Sequence, residues 1–190
     1  MLFQKDEIAL RRMRDDMYDY QLMAKWLTDE KVLEFYEGRD NPFPLERIIE
    51  TYKPIIRGNE LIVACIFYYR NVPIGYLQYY ALNDLPETDR QLYYLDKTNN
   101  VYGIDLLIGE TNYWNQGIGT KMLSAVIEYI FEQLQAVKIV IDPDVSNARA
   151  IRCYEKCGFV KVKLLTAHQL HEGQHSDCWL MAINRKKSLH

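Results

Sequence analysis

The sequence predicts a mixed α/β fold, a central mixed β-sheet flanked by helices. Its elements read in the order β-α-α-β-β-β-α-β-α-β-β, which a mixed sheet with helices on both sides satisfies. At 190 residues and 48% hydrophobic content, the chain can fill one core well and is short for two. No internal repeat, low-complexity segment or boundary interrupts it, so residues 1–190 are expected to form a single domain.

Ile8 to Met13 reads as a first strand. Asp15 or Asp16 can cap the helix that follows, whose stripe is Tyr20, Met23, Ala24 and Leu27. The turn-rich Glu37 to Pro44 separates it from a short helix over Leu45 to Tyr52, with Pro44 suited to its start. Ile62 to Tyr69 and Ile74 to Leu82 are expected strands joined by a tight connection, Pro73 lying at a strand end or edge. Asn83 to Asn100 is expected to be a polar loop, and Val101 to Ile108 the next strand. Residues 37–44 and 83–100 are expected to wall a cleft.

The strongest helix runs from Gly119 to Gln135, burying Leu123, Val126, Ile127, Ile130 and Leu134 and leaving Lys121, Glu128 and Glu132 in water. Lys138 to Asp142 is a buried β-branched strand. A helix from Asn147 to Lys156 is closed by Gly158. Phe159 to Leu165 and Cys178 to Ile183 complete the strands, with a loop from Thr166 to Asp177 between them.

Composition excludes some functions. The net charge of -3 argues against a nucleic-acid partner, because duplex binding depends on neutralising phosphates. An acidic excess favours a cationic partner where the acids cluster around a pocket. The start of the chain lacks a secretory signal, and no apolar stretch reaches membrane-spanning length, so no membrane partner is expected. The four cysteines then read as free buried thiols in a reducing cytoplasm.

Gly117-Ile-Gly119 opens the strongest helix. Two glycines there let backbone amides approach an anion, and the first turn's free N–H groups can hold a diphosphate. An ordinary turn explains Gly-x-Gly alone equally well. A nucleotide P-loop fails on register, since Lys121 follows too soon, and a dinucleotide fold lacks its third glycine.

Trp114-Asn-Gln-Gly-Ile-Gly resembles the Gln/Arg-x-x-Gly-x-Gly/Ala loop of the GNAT superfamily of N-acetyltransferases, with Trp114 in the usual Gln or Arg position. Asn147-Ala-Arg-Ala-Ile-Arg-Cys-Tyr-Glu-Lys-Cys-Gly-Phe is similar to that family's final coenzyme A segment. The resemblance implies a GNAT-like sheet holding acetyl-CoA in a cleft. It assigns Leu106, Leu107, Ile108, Gln116, Gly117, Ile118, Gly119, Thr120, Asn147 and Tyr154 to the cofactor. Within the family the chain most resembles aminoglycoside 6'-N-acetyltransferases, in Trp26 to Tyr36, Val72 to Tyr76, Tyr102 to Asp105, Asp142-Pro and Asp177 to Met181. That implies acetylation of an aminoglycoside 6'-amine, conferring antibiotic resistance, with Trp26, Tyr76, Asp105, Asp142 and Asp177 contacting substrate.

The residue chemistry suits such an acceptor. A polyhydroxylated polycation needs acids with aromatic or apolar walls, and Asp105, Asp142 and Asp177 each fall at a strand or its boundary. Asp105 is the candidate to orient the amine and receive its proton, directly or through water. An amide beside Leu106 or Leu107 is placed to bind the thioester oxygen, and Tyr154 to protonate the departing thiolate. Direct transfer is expected, because Cys153 has no histidine near it in sequence to make it a nucleophile. His171-Glu-Gly-Gln-His175 fits a zinc-protease motif literally, but Gly173 and the short polar interval deny it a helix, so no metal is expected. Another small polyamine or aminosugar acceptor, and a noncatalytic coenzyme A sensor, are the alternatives. Either a monomer or a homodimer is compatible with the sequence.

Overall fold

The computed structural model describes residues 1–84, 90–91 and 100–186. Among these, β1 (Phe3–Lys5), β2 (Ile8–Arg12), β3 (Ile62–Tyr69), β4 (Val72–Ala81), β5 (Val101–Ile108), β6 (Lys138–Ile141), β7 (Val160–His171) and β8 (Gln174–Asn184) form one sheet in the order β1-β2-β3-β4-β5-β6-β8-β7. Only β5 and β6 pair in parallel. The helices are α1 (Met17–Trp26), α2 (Glu30–Leu33), α3 (Leu45–Ile56), α4 (Ile118–Gln133) and α5 (Ala148–Lys156).

Strand alternation splits the core between two faces. Leu10, Cys65, Phe67, Leu77, Tyr79 and Ile104 pack against Met122, Leu123, Val126 and Ile130 of α4 and Ile151 of α5. Ala64, Ile66, Tyr76 and Leu107 face the other way, onto Tyr20, Met23, Trp26, Ile48 and Tyr52 of α1 and α3. A buried ion pair ties β2 to α1. The Arg11 guanidinium donates to both Asp19 carboxylate oxygens at 2.6 Å, and Asp19 also accepts the Arg14 amide at 2.7 Å. The Tyr68 hydroxyl accepts from Arg11 at 2.8 Å.

Several expected elements need correction. β1 precedes the expected first strand, paired with it through Asp6 at φ 51°. The four-residue α2 was too short to show a stripe. α3 continues through Pro54 to Ile56 rather than stopping at Tyr52, because a proline near the last turn removes little helix bonding. β4 begins at Val72, after a two-residue turn with Arg70 and Asn71 both at positive φ, and Pro73 sits opposite Tyr68 at a bulge.

The largest correction is at the C-terminal end. The expected loop from Thr166 to Asp177 is the outer half of a long hairpin, β7 to β8, turning at Glu172 and Gly173. His171 pairs with Gln174 and His175 with Leu170. The two histidines therefore point to opposite faces of the sheet and cannot share one metal ion from these strands. Of the expected loop over 83–100, most lies outside the described residues; the part that is described has Leu82–Asp84 in a short 3₁₀ turn. Two thiols, Cys65 and Cys178, are buried as expected, whereas Cys153 and Cys157 are only half-buried.

Candidate active site

The parallel pair β5 and β6 opens like a V. Its ladder holds only three residue pairs, Val101 to Gly103 against Lys138 to Val140. From Ile104 onwards β5 keeps β4 on one side and leaves a gap on the other. α4 starts at that gap. Gly117 is its N-cap, at φ +73°, a backbone shape that favours glycine, and no side chain caps the helix. The first-turn amides have no intrahelical acceptors, so they and the positive end of the helix face the cleft ready for an anion.

The resulting cleft is about 300 Å³. Its walls include Leu106, Leu107 and Ile108 from β5, Gly117 to Thr120, and Asn147 and Tyr154. Among the described residues its lining carries three cations, Arg149, Arg152 and Lys156, and no carboxylate. The Arg149 guanidinium lies 3.7 Å from the Trp114 ring centre and 4.9 Å from that of Phe35. The Trp114 indole donates to the Ile108 carbonyl at 2.7 Å. Trp114 therefore serves as a fixed aromatic platform for a cation at the place where a polar side chain was expected.

A second cavity, of about 380 Å³, adjoins the first; Phe35, Tyr36, Leu106, Asn147 and Tyr154 line both. Its charge is opposite. Glu34, Glu37, Asp105, Asp142 and Asp144 line it, and no Lys or Arg does among the described residues. Asp105 projects from β5 and accepts the Gln78 amide at 2.7 Å, while Gln78 accepts the Tyr76 hydroxyl at 2.7 Å. This relay fixes the carboxylate's direction. Burial, reinforced by the charge of Asp142, pushes Asp105 up to about 6, with the Gln78 bond opposing. Asp142 is itself held by His168 at 3.0 Å, a bond that raises the imidazole's proton affinity. Tyr154 is buried at the seam, and burial holds its phenol far above the ordinary range, so it stays protonated.

The pocket wall is fastened from outside. Arg39 forms a two-pronged pair with Glu172, at 2.5 and 2.8 Å, linking the loop that carries Glu37 and Asn41 to the β7–β8 turn.

The expected site residues thus divide. Asp105, Asp142, Asn147, Tyr154, Leu106, Leu107, Ile108, Gly117, Ile118, Gly119 and Thr120 line one cavity or both. Trp26, Tyr76, Asp177 and Gln116 line neither. Trp26 is fully buried, donates to Glu110 at 2.9 Å and lies so close to Gly109 that an added Cβ would meet its ring at 2.0 Å. Tyr76 is fully buried under Gln78. Asp177 accepts the Ala167 amide at 2.8 Å within the hairpin, and the Gln116 amide folds back onto the Asn112 carbonyl at 2.6 Å. Glu34, Phe35, Asp144 and Arg149 were not anticipated. The acids at 34 and 37 flank an aromatic pair before a turn, a pattern that could have drawn attention to them.

A helix N-terminus set against a splayed parallel pair, with its glycine loop, defines an acetyltransferase of the GNAT class. Residues 15–167 match the family described as Acetyltransferase (GNAT) domain, and the chain belongs to it. It is 33% identical over 162 residues to the aminoglycoside N(6')-acetyltransferase type 1 of Klebsiella pneumoniae, covering 85% of this chain and 78% of that protein. The crystal structure of aminoglycoside acetyltransferase AAC(6')-Ib with coenzyme A and kanamycin superposes with a TM-score of 0.75 at 29% identity, over 94% of this chain and 95% of that one. A spermidine N-acetyltransferase from Vibrio cholerae, in complex with CoA and spermine, has a TM-score of 0.75 over 98% of this chain and all of that one. At 17% identity that likeness is one of fold.

Proposed function

We propose that the protein transfers an acetyl group from acetyl-coenzyme A to the 6'-amine of an aminoglycoside antibiotic, and so confers resistance. The observation that carries this reading is the charge partition: a cationic cleft and an acidic cavity meet at Tyr154 and Leu106. A polyanionic cofactor and a polycationic acceptor each find one complementary seat. Sequence and structural likeness to aminoglycoside acetyltransferases supports the identity of the acceptor.

The cleft residues fit the cofactor. The first-turn amides of α4 suit its diphosphate, and the open edge of β5 suits its extended pantetheine arm. Bound acetyl-coenzyme A supplies the activated acetyl group. In the acidic cavity Asp105 orients the acceptor ammonium and takes its proton, and Tyr154 delivers a proton to the departing sulfur. A β5 amide at Leu106 or Leu107 binds the carbonyl oxygen as charge builds on it. Asp142, steadied by His168, and Glu37 hold the remaining cationic groups. No acetylated side chain is needed. The four free cysteines and this cosubstrate suit the cytoplasm, and no helix among the described residues is long and apolar enough to cross a membrane.

Thiol release from acetyl-coenzyme A tests the reading, using paired aminoglycosides that carry a 6'-amine or a 6'-hydroxyl. Release with the amine alone is expected. Equal release with both would move the reaction to another amine, and release with spermine but neither antibiotic would favour a polyamine acceptor.

Arg149 should govern cofactor affinity. Arg149→Ala is expected to raise KM for acetyl-coenzyme A roughly tenfold with little change in kcat, the size of one charge-assisted hydrogen bond. Arg149→Lys should recover only part, since an ammonium keeps the charge but stacks poorly on Trp114. An unchanged KM in Arg149→Ala would remove Arg149 from the cofactor site.

A further inference from the structure

Two thiols beside the cofactor cleft take no part in the reaction above. Cys153 lines the cleft, and Cys157 lies one turn later on the same side of α5. Both reach the first turn of α4. The Cys153 sulfur is 3.5 Å from the Thr120 hydroxyl, and the Cys157 sulfur is 3.5 Å from the Thr120 carbonyl oxygen and 3.7 Å from the Ser124 hydroxyl. The other two cysteines, Cys65 and Cys178, are fully buried on strands.

The surroundings favour a thiolate at Cys153. The cleft wall carries Arg149, Arg152 and Lys156 without a carboxylate, an environment that stabilises sulfur anions. Hydrogen bonding with Cys157 pulls the Cys153 thiol down, against the effect of burial, and pushes the Cys157 thiol up. The pair thus favours one thiolate beside one thiol.

We propose that Cys153 and Cys157 form a peroxide-responsive dithiol whose oxidation closes the cofactor cleft. The Cys153 thiolate attacks one oxygen of hydrogen peroxide. The O–O bond breaks, hydroxide leaves, and the sulfur becomes a sulfenic acid. Cys157 then attacks that sulfur, the S–O bond breaks, and its proton leaves with the departing hydroxide as water. Overall, two thiols and one peroxide give one disulfide and two waters.

Closing the bridge moves structure. Side chains four apart on a helix have Cβ atoms about 5–6 Å apart, while a disulfide needs about 3.5–4.5 Å, so the end of α5 must tighten. Cys157 is the C-cap residue, followed by Gly158 at φ +97°, and a helix end deforms more readily than its middle. The movement withdraws Cys157 from the Thr120 carbonyl and Cys153 from the Thr120 hydroxyl, both in the first turn of α4. Tyr154 lies between the two cysteines and moves with them. The functional consequence rests on the reading of this cleft as the cofactor's seat.

The test treats the purified full chain with equimolar hydrogen peroxide, alkylates remaining thiols with iodoacetamide and maps the peptides by mass spectrometry. Acetyl-coenzyme A binding is measured by calorimetry on the same samples. The expected product is a Cys153–Cys157 disulfide reversed by dithiothreitol, with binding about tenfold weaker, the loss of one charge-assisted hydrogen bond. Cys157→Ser should stop at a sulfenic acid that dimedone traps. Oxidation of Cys153 no faster than that of Cys65 and Cys178, or directly to sulfinic acid with Cys157 free, overturns the dithiol. A disulfide that leaves binding unchanged overturns the closure. Untreated protein that binds no acetyl-coenzyme A fails the cofactor reading instead, and the peptide map alone then decides the dithiol.

Discussion

Asp105→Asn should lower kcat/KM for acetyl transfer by about 10²–10³-fold, the usual contribution of a positioned proton acceptor. The amide keeps the shape and the bond to Gln78 but cannot take a proton. Stability should move the other way. A carboxyl whose folded value is about 6, against an ordinary 3.8, binds its proton more tightly when folded, so stability is lost as the pH rises between those values. Asn carries no such cost, and at pH 7 the variant should gain on the order of 3 kcal/mol. Steady-state kinetics with a thermal melt reads both effects. A variant that is inactive and also melts lower would make the loss structural. The wild-type acid limb of kcat/KM should fall near pH 6, and Asp142→Asn, by removing a neighbouring negative charge, should shift it to lower pH. A limb that stays in place would separate it from Asp105.

The second large effect concerns stability alone. Asp19→Ala strands the Arg11 guanidinium inside the protein, with its carboxylate gone and the Arg14 amide unpaired. Breaking a buried pair by removing one partner destabilises by about 3–5 kcal/mol. In a protein of this size that lowers the melting temperature by on the order of 10 °C. Arg11→Met combined with Asp19→Ala should lose less than the two single changes summed, because no buried charge is left unpaired. A melt within a degree or two of wild type for Asp19→Ala would mean that water reaches the pair in solution. Below the transition the variant should keep its KM for acetyl-coenzyme A, since neither residue lines the cleft.

What the sequence revealed followed the strength of local signals. β6 and α4 were legible because a β-branched run and a helical stripe each pack into the core. Asn147 and Tyr154 were legible through the spacing of one helix that packs and lines the cleft with different faces. The outer hairpin was not. Thr166 to His171 forms a strand exposed on most of its length, so no alternation distinguished it from a loop. Trp26 and Tyr76 show the limit of segment likeness: matched stretches contained them, but their side chains support the site from beneath rather than facing it. Glu34 and Asp144 join the acidic cavity from distant parts of the chain, a convergence that only the fold creates.

Acetylation of an amine erases a positive charge. In the proposed reaction, therefore, substrate and product differ in the quantity that the five carboxylates of the acidic cavity are placed to recognise. At an effective dielectric of about 20, one unit charge beside another at 4 Å is worth up to about 4 kcal/mol. Losing even a fraction of that at the reacting nitrogen loosens the product the moment it forms, while the cationic cleft next door keeps its hold on the spent cofactor. The chemistry itself thus favours an exit order, acetylated sugar first and nucleotide second, with turnover becoming less selective as salt screens both walls.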